Sequence, residues 1–212
     1  MATDLIEIDQ DSPSEEAIQR AAKAIREGRV LAVPTDALYT LVADPLNLNA
    51  VRRVFQAKGR EQQRSLPLLV SGLLMAEELA SELTERFYFL ARYFWPGPLT
   101  LIVPASARVP LKVTGNTARL AMRHSRAAVP NKLIDILEQP LICTSANISG
   151  QPTCHSGIEV FGEMDGRVDL VLDGGLCVGA GATTVDVTEP WWRVIKEGSI
   201  SEKQIAAALK GR

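Results

Sequence analysis

The sequence predicts a mixed α/β fold, in which a mixed sheet is flanked by helices. Short apolar runs, typical of buried strands, lie between longer segments of helical periodicity. The two kinds of segment alternate irregularly, which argues against a strictly repeating βα fold. With 212 residues, of which 46% are hydrophobic, the chain can bury a sizeable core. No repeat or linker interrupts it, so we expect a single domain over residues 1–212.

The first predicted elements are a helix and a strand. Ser12 is expected to be the N-cap of the helix, with Pro13 at the first helical position and Glu15 closing a capping box. Apolar residues then follow with helical spacing until Gly28, where the helix is expected to end. The apolar run at 30–33 predicts a buried strand, which a Pro-Thr-Asp sequence terminates.

The middle of the chain is expected to hold two helices and a strand. Helical periodicity covers residues 49–58 and, over a longer stretch, residues 76–94. The Trp-Pro-Gly-Pro sequence at 95–98 breaks the second helix. Between the two helices, the apolar run at 68–70 predicts a second strand.

The second half of the chain is predicted to be richer in strands. Short apolar runs predict strands over 99–103, 119–122, 140–143, 168–172, 184–187 and 193–196. Helical periodicity predicts one helix over 129–138 and a last helix over 201–209, with Ser201 as its N-cap.

Lys58 is a cation on the buried side of its predicted helix. It lies seven residues after Val51 and four after Val54, so it extends their apolar stripe. Arg60 and Arg64 follow closely. A positive charge that is aimed inward needs an anion to offset the loss of water, and phosphate is the obvious candidate. In the alternative interpretation, Lys58 reaches solvent and only complements the negative end of the helix dipole.

Composition narrows the classes of function. The 23 basic and 25 acidic residues give a formal charge of −2, which argues against strong nonspecific binding of nucleic acid. Three cysteines without a C-x-x-C pair and two histidines without ligand spacing favour neither disulfides nor a metal site. The acidic N-terminus does not resemble a signal peptide, and no apolar run could span a membrane. We therefore expect a cytoplasmic protein without a membrane partner.

Four segments carry polar residues that are suited to ligand binding. The first, residues 34–39, follows a buried strand and offers the hydroxyl of Thr35 and the ring of Tyr39. The second, residues 144–150, has small hydroxyl and amide side chains that leave backbone N–H groups open to an anion. Ordinary turn and core roles explain both segments equally well.

The third segment, residues 173–184, is rich in glycine but contains neither a G-x-G-x-x-G nor a Walker sequence. The fourth is the pair Arg119 and Arg123, whose spacing places them on one face of a strand, both buried or both exposed. Two arginines around apolar residues more often mark a solvated face, which is the expectation here. The polar segment 61–64 after Gly59 also permits the hypothesis of a mobile lid.

Five short motifs occur in a fixed order along the chain. They are Lys-Gly-Arg at 58–60, Pro-Leu at 67–68, Phe-Trp-Pro-Gly-Pro-Leu-Thr at 94–100, Ser-Ala-Asn-Ile-Ser-Gly at 145–150 and Asp-Gly-Gly at 173–175. This order resembles the YrdC-type family over about residues 12–201. The resemblance implies a twisted, partly open sheet around a large basic cleft. It also implies synthesis of threonylcarbamoyl-AMP and pyrophosphate from L-threonine, bicarbonate or CO₂ and ATP, for the modification of adenosine 37 in tRNA.

The resemblance further implies roles for individual residues. Lys58 and Arg60 would hold the ATP phosphates and act in catalysis, and Mg²⁺ would come with the nucleotide. The contacts to threonine would be made by Thr35, Tyr39, Arg123, Cys143 and Thr183, with Arg123 pairing to the carboxylate. The other contacts to ATP would be made by Arg119, Ser145, Asn147, Thr153 and Lys196. No protein nucleophile or metal site is required, because threonine carbamate attacks the α-phosphate while cations stabilise the charge.

Some positions depart from the family pattern. The family usually has a glycine at the position of Thr40 and an asparagine at that of Leu66. It usually has a proline at the position of Ser125 and an arginine at that of Lys196. A lysine in place of an arginine replaces a planar fork by a point charge. Two alternatives therefore stay open: a module that binds tRNA or ribosomal RNA without catalysis, and a paralogue with another nucleotide-dependent substrate. The expected macromolecular partners are tRNA or a downstream threonylcarbamoyl-transferase complex.

Overall fold

The computed structural model describes residues 2–60 and 64–210, and it confirms a mixed α/β fold. Residues 61–63 of the hypothetical lid lie outside the described residues. The helices are α1 (Glu15–Arg26), α2 (Leu48–Lys58), α3 (Leu73–Leu79), α4 (Glu85–Phe94), α5 (Ala128–Leu137), α6 (Gly157–Met164) and α7 (Glu202–Lys210). The strands are β1 (Asp4–Glu7), β2 (Leu31–Val33), β3 (Thr40–Val42), β4 (Leu68–Leu69), β5 (Leu99–Pro104), β6 (Arg119–Arg123), β7 (Leu141–Ile142), β8 (Thr144–Ser145), β9 (Leu170–Asp173), β10 (Thr183–Asp186) and β11 (Arg193–Lys196).

The strands form two mixed sheets instead of one. The first has the order β1-β9-β2-β3-β8, with β9 parallel to both of its neighbours and β3 antiparallel to both of its own. The second has the order β11-β10-β5-β6-β4-β7, in which β10 is parallel to β5 and β6 is parallel to β4. Only Cys143 separates β7 of the second sheet from β8 of the first. The chain therefore passes directly between the sheets at this residue.

A common core joins the two sheets. The larger cluster of buried apolar side chains includes Leu41 of the first sheet, Leu101 of the second, and Phe55 of α2. A second cluster, with Ile18 of α1 and Leu133 of α5, covers the outer face of the first sheet. Among the described residues, no helix is long and apolar enough to cross a membrane.

The predicted start of the first helix is wrong by two residues. Ser14, not Ser12, is the N-cap, since its side chain accepts a hydrogen bond from the backbone N–H of Ala17. Pro13 consequently precedes the cap instead of occupying the first helical position. The predicted end holds, because Gly28 follows the helix with a φ of +76°, which glycine adopts without strain.

The long helix predicted over 76–94 is in fact two helices. Ala80 leaves the helical conformation and forms a bridge with Ala105, next to the second sheet. Thr84 then caps α4 by accepting a hydrogen bond from the N–H of Phe87. The sequence prediction also missed β1, β3, β8 and α6. These elements are short, and β1 is mostly exposed, so they lack an apolar pattern long enough to recognise.

Candidate functional site

A cavity of about 280 Å³ lies between the two sheets. Thr40 and Ser145 line it from the first sheet, and Thr100 and Arg123 line it from the second. Its volume lies just below the usual range for small-molecule sites, which begins at about 300 Å³. Within the described part of the chain, the lining includes Arg60, Arg123 and Lys196 but no Asp or Glu. The wall is therefore suited to an anionic ligand.

Lys58 lies directly behind this wall. The residue is 2% exposed, so the predicted inward orientation is confirmed. Its Nζ donates hydrogen bonds to the carbonyl oxygen of Ser145 at 2.6 Å and to Oδ1 of Asn147 at 2.9 Å, with the Ser145 hydroxyl oxygen at 3.2 Å. Three neutral oxygens thus take the place of the anion that we expected beside this charge. Ser145 stands between the ammonium group and the cavity, since it lines the cavity and Lys58 does not.

Burial makes the charge of Lys58 sensitive to its surroundings. Loss of water, together with the positive charge of Arg60, lowers the pKa of Lys58 to about 8. At neutral pH the group is charged, but only by a small margin. An anion beside it would raise the pKa again, so a bound phosphate and the protonated lysine would stabilise each other.

Arg60 reaches the cavity because the chain reverses at Gly59. Gly59 ends α2 with a φ of 58°, in the left-handed region that glycine adopts readily. The guanidinium of Arg60 then lies 5.5 Å from the ring centroid of Phe55, and its Nη2 is 3.4 Å from the carbonyl oxygen of Ser65. Its Nε is buried without a partner among the described residues. Burial, with a contribution from Arg64, lowers the pKa of Arg60. A half-satisfied, partly dehydrated guanidinium is well suited to bind phosphate.

Arg123 is buried, which corrects the expectation of a solvated face. Its Nε donates to the carbonyl oxygen of Gly97 at 3.0 Å, and its Nη2 lies 2.5 Å from Oδ1 of Asp36. Only 5% of the side chain is exposed. The strand β6 enters the protein at its C-terminal end, so residues on one face differ in depth.

Arg119, which the resemblance assigned to ATP, is not part of the lining that the described residues form around this cavity. It is at the exposed start of β6, where Nη1 pairs with Asp186 at 2.8 Å and Nη2 with Glu189 at 3.3 Å. These residues, with Trp191 and Arg193, line a separate cavity of about 340 Å³. The guanidinium of Arg119 is therefore already paired with two carboxylates.

The hydroxyl of Thr183, which the resemblance assigned to threonine, already makes three hydrogen bonds within the protein. The residue is fully buried, and its Oγ1 donates to the carbonyl oxygen of Ile200 at 2.6 Å and accepts from two backbone N–H groups. Thr184 lines the cavity instead. Adjacent residues of a strand face opposite sides, so the next residue of β10 points into the site.

Four other predicted residues line the cavity, with some of their polar atoms already engaged. The Thr35 hydroxyl donates to the carbonyl oxygen of Leu38 at 2.7 Å. The Tyr39 hydroxyl lies 2.8 Å from the carbonyl oxygen of Gly175, and burial raises its pKa. Burial also raises the pKa of the Cys143 thiol, which favours the neutral form. Thr153 lines the wall as well.

Of the two remaining predicted residues, Lys196 is exposed and Asn147 is buried. Lys196 is exposed at the end of β11, where a Cβ on Gly181 would lie 4.0 Å from its Nζ. Asn147 is buried and is not part of the lining that the described residues form. Its amide nitrogen donates to the carbonyl oxygens of Ile148 and Gln151. Its Oδ1 accepts the hydrogen bond from Lys58, so Asn147 helps to hold the ammonium group in place.

Sequence reasoning assigned no role to Thr100, Thr144 and Thr184, although all three line the cavity. Each lies in a segment that the sequence had singled out. Thr100 ends the 94–100 motif, while the other two directly follow Cys143 and Thr183. Within the described ranges, no group of three His, Cys, Asp or Glu residues could hold a metal ion.

The fold and this cavity define a mixed α/β protein with a cavity between its sheets whose described lining includes cations and no carboxylate. The chain belongs to the Sua5/YciO/YrdC family, whose profile, described as "Telomere recombination", matches residues 23–198.

Similar proteins cover nearly the whole chain. A threonylcarbamoyl-AMP synthase from Pyrococcus abyssi (strain GE5 / Orsay) is 40% identical over 193 residues, which are 91% of this chain and 57% of that protein. One from Bacillus subtilis (strain 168) is 30% identical over 203 residues, which are 95% of this chain and 59% of that protein. The crystal structure of P. abyssi Sua5 in complex with L-threonine matches with a TM-score of 0.94 at 36% identity, covering 98% of this chain and 61% of that chain.

These relatives are considerably longer than the present chain, which spans 57% to 59% of the two synthases. The activity, substrates and partners of the longer proteins are therefore proposals for this chain.

Proposed function

We propose that this chain forms threonylcarbamoyl-AMP and pyrophosphate from L-threonine, bicarbonate or CO₂ and ATP, for the N6-threonylcarbamoyl modification of adenosine 37 in tRNA. One observation carries the proposal: the buried Lys58 is bonded to Ser145 and Asn147 behind a cavity whose described wall has cations and no carboxylate. The synthase names of the relatives and the threonine complex of P. abyssi Sua5 support the choice of substrates.

Exposure distinguishes an inner part of the cavity from its mouth. Thr40 and Arg123 are buried, whereas Arg60 is half-buried and Lys196 is exposed. We place the threonine in the inner part, with its carboxylate against Arg123. The triphosphate then lies towards the mouth, where Arg60 and Lys196 can reach its oxygens. Lys58 would act from behind the Ser145 segment at the phosphate end.

The chemistry needs charge stabilisation more than a protein nucleophile. The uncharged amine of threonine adds to CO₂, which gives a carbamate anion and releases a proton. A wall without carboxylates does not favour the ammonium form of the amine, so it favours this step. A carbamate oxygen then attacks the α-phosphorus of ATP, and the bond to the β-phosphate oxygen breaks as pyrophosphate leaves. Arg60 and Lys58 would stabilise the negative charge on the phosphoryl oxygens during the transfer.

Mg²⁺ does not find a protein site in this cavity. Its usual protein ligands are carboxylates, and the described lining residues offer only hydroxyl, thiol and carbonyl groups besides the cations. The ion would have to arrive with the triphosphate, and no step is assigned to it. We also propose that residues 1–212 act as one domain in the cytoplasm. tRNA or a threonylcarbamoyl-transferase complex would receive the product.

Release of pyrophosphate tests the proposal. We expect release from ATP only when threonine and bicarbonate are both present, and none from α,β-methylene-ATP, in which a carbon bridge prevents cleavage. Absence of pyrophosphate under the complete conditions would refute the synthase. Release that does not depend on threonine would instead support a paralogue with another substrate.

A further inference from the structure

A single carboxylate oxygen connects three residues beside the cavity. Oδ1 of Asp36, in the loop after β2, accepts a hydrogen bond from Nη2 of Arg123 at 2.5 Å. The same oxygen accepts a hydrogen bond from the hydroxyl of Ser125. Asp36 and Arg123 retain 15% and 5% of their side-chain exposure, so this charge pair is largely shielded from water.

The guanidinium of Arg123 is held on two sides. Its Nε donates to the carbonyl oxygen of Gly97 at 3.0 Å, and its Nη2 is held by Asp36. Its Nη1 makes no hydrogen bond within the described residues, although Arg123 lines the cavity. Because the guanidinium is planar, two fixed corners also fix the direction of the third.

Ser125 is itself fixed in position. The residue is 1% exposed, and its Oγ accepts a hydrogen bond from the N–H of Ala127 at 3.2 Å. Its carbonyl oxygen accepts another from the side chain of Asn131 at 3.0 Å. The hydroxyl hydrogen is consequently directed at Asp36. The second oxygen of Asp36, Oδ2, is buried without a partner in the described part of the chain.

We propose that Asp36 and Ser125 are positioning residues, which hold Arg123 ready for the carboxylate of the bound amino acid. The inference rests on the proposed function, in which Arg123 binds threonine. A free arginine side chain loses much rotamer freedom when it binds a ligand, and a guanidinium that is already fixed avoids this loss. Small displacements of a positioned group also have large effects on rate.

The test compares Ser125→Ala with Ser125→Thr, which keeps the hydroxyl, and with Asp36→Asn. Calorimetry measures the affinities for threonine and for ATP separately in the full chain. We expect Ser125→Ala to weaken threonine binding by about tenfold and to leave ATP binding within about twofold. Ser125→Thr should restore threonine binding. Asp36→Asn should weaken it further, and the Ser125 pair keeps the test valid if that variant does not fold.

Two results would overturn the proposal. Unchanged threonine affinity in Ser125→Ala would show that the hydroxyl has no positioning role. Equal losses for threonine and ATP, with a lower unfolding temperature, would show a merely structural role.

A second measurement separates this inference from the proposed function. If the wild-type chain binds no threonine and releases no pyrophosphate, the proposed function fails. Nuclear magnetic resonance of the Arg123 side chain then tests separately whether Ser125 holds Arg123 in position. Slow exchange of its Nε–H that is lost in Ser125→Ala supports the positioning role, whereas unchanged exchange refutes it.

Discussion

The side chain of Lys58 donates a 2.6 Å hydrogen bond to the carbonyl oxygen of Ser145, 87 residues further along the chain. The backbone makes a second connection, because the N–H of Ser149 donates to the carbonyl oxygen of Lys58 at 2.9 Å. That carbonyl is at the C-terminal end of α2, where no helical partner is available. A side-chain and a backbone hydrogen bond therefore connect the Lys-Gly-Arg motif to the segment 145–150.

Replacing Lys58 by methionine should remove activity and preserve the fold. Methionine fills a similar volume without a charge, so the core should remain packed. Loss of one cation from the proposed phosphoryl-transfer site should cost about 3 kcal/mol in the transition state, which lowers kcat by about a hundredfold or more. Pyrophosphate release and thermal unfolding measure the two effects. Lys23→Met, at an exposed position of α1, is the matched control. A Lys58→Met variant that kept near-normal kcat would contradict this role.

The pKa of Lys58 predicts a stability that rises with pH above about 8. Burial lowers this pKa from 10.5 to about 8. Between these values the unfolded chain binds a proton that the folded chain lacks. The free energy of unfolding should therefore increase with pH, by at most about 1.4 kcal/mol per unit. Below the folded-state pKa, Lys58 is charged in both states and contributes no slope.

Denaturant unfolding of wild type and Lys58→Met between about pH 7 and pH 10 isolates this effect. Burial raises the pKa of Cys154 to about 12, which destabilises the fold as its unfolded thiol ionises. That contribution is present in both proteins and largely cancels in their difference. A difference in stability that does not change with pH would contradict a lowered pKa.

Thr183 and Thr184 should respond in opposite ways to replacement by valine. Thr183→Val removes a buried hydroxyl that makes three hydrogen bonds, so it should lower the free energy of unfolding by about 1–3 kcal/mol. Thr184→Val changes a cavity wall, so it should weaken substrate binding and leave stability within about 0.5 kcal/mol. Denaturation and titration of both variants check this pair. If Thr184→Val lowered stability and Thr183→Val weakened substrate binding, Thr183 and not Thr184 would face the cavity.

Arg119→Gln should leave ATP affinity within about twofold of wild type, because its charge is paired with carboxylates in another cavity. Arg60→Gln should weaken ATP binding by about tenfold or more, since its partly unsatisfied guanidinium faces the site. Calorimetric titration of ATP distinguishes the two arginines. An equal loss of ATP affinity in both variants would indicate that Arg119 also contacts the nucleotide.

The local sequence pattern was sufficient to predict that Lys58 is buried, but it was not sufficient to predict the burial of Arg119 and Arg123. Helical periodicity repeats every few residues, so two apolar neighbours in α2 were enough to place the lysine on the buried side. In β6 the spacing of four residues places Arg119 and Arg123 on the same face of the strand, but it does not indicate how deeply each one is buried. Depth depends on how the strand enters the protein, which the assembled sheet decides.

The orientation of β10 and the break in the predicted long helix both depend on contacts with distant parts of the chain. A strand alternates its faces at every residue, so choosing Thr183 instead of Thr184 requires the register that β5 imposes. The break after Leu79 has no glycine or proline to mark it. It is set by the pairing of Ala80 with Ala105, which lies beyond local sequence.

Isotope labelling shows whether the chain makes threonylcarbamoyl-AMP. The purified chain is incubated with ATP, L-threonine and ¹³C-bicarbonate, and the nucleotide products are separated and analysed by mass spectrometry. We expect a threonylcarbamoyl adenylate that carries the label in its carbamoyl carbon, and we expect this product to be absent with Lys58→Met. Unlabelled nucleotides alone, with ATP unchanged or converted only to ADP, would refute the proposed synthase activity.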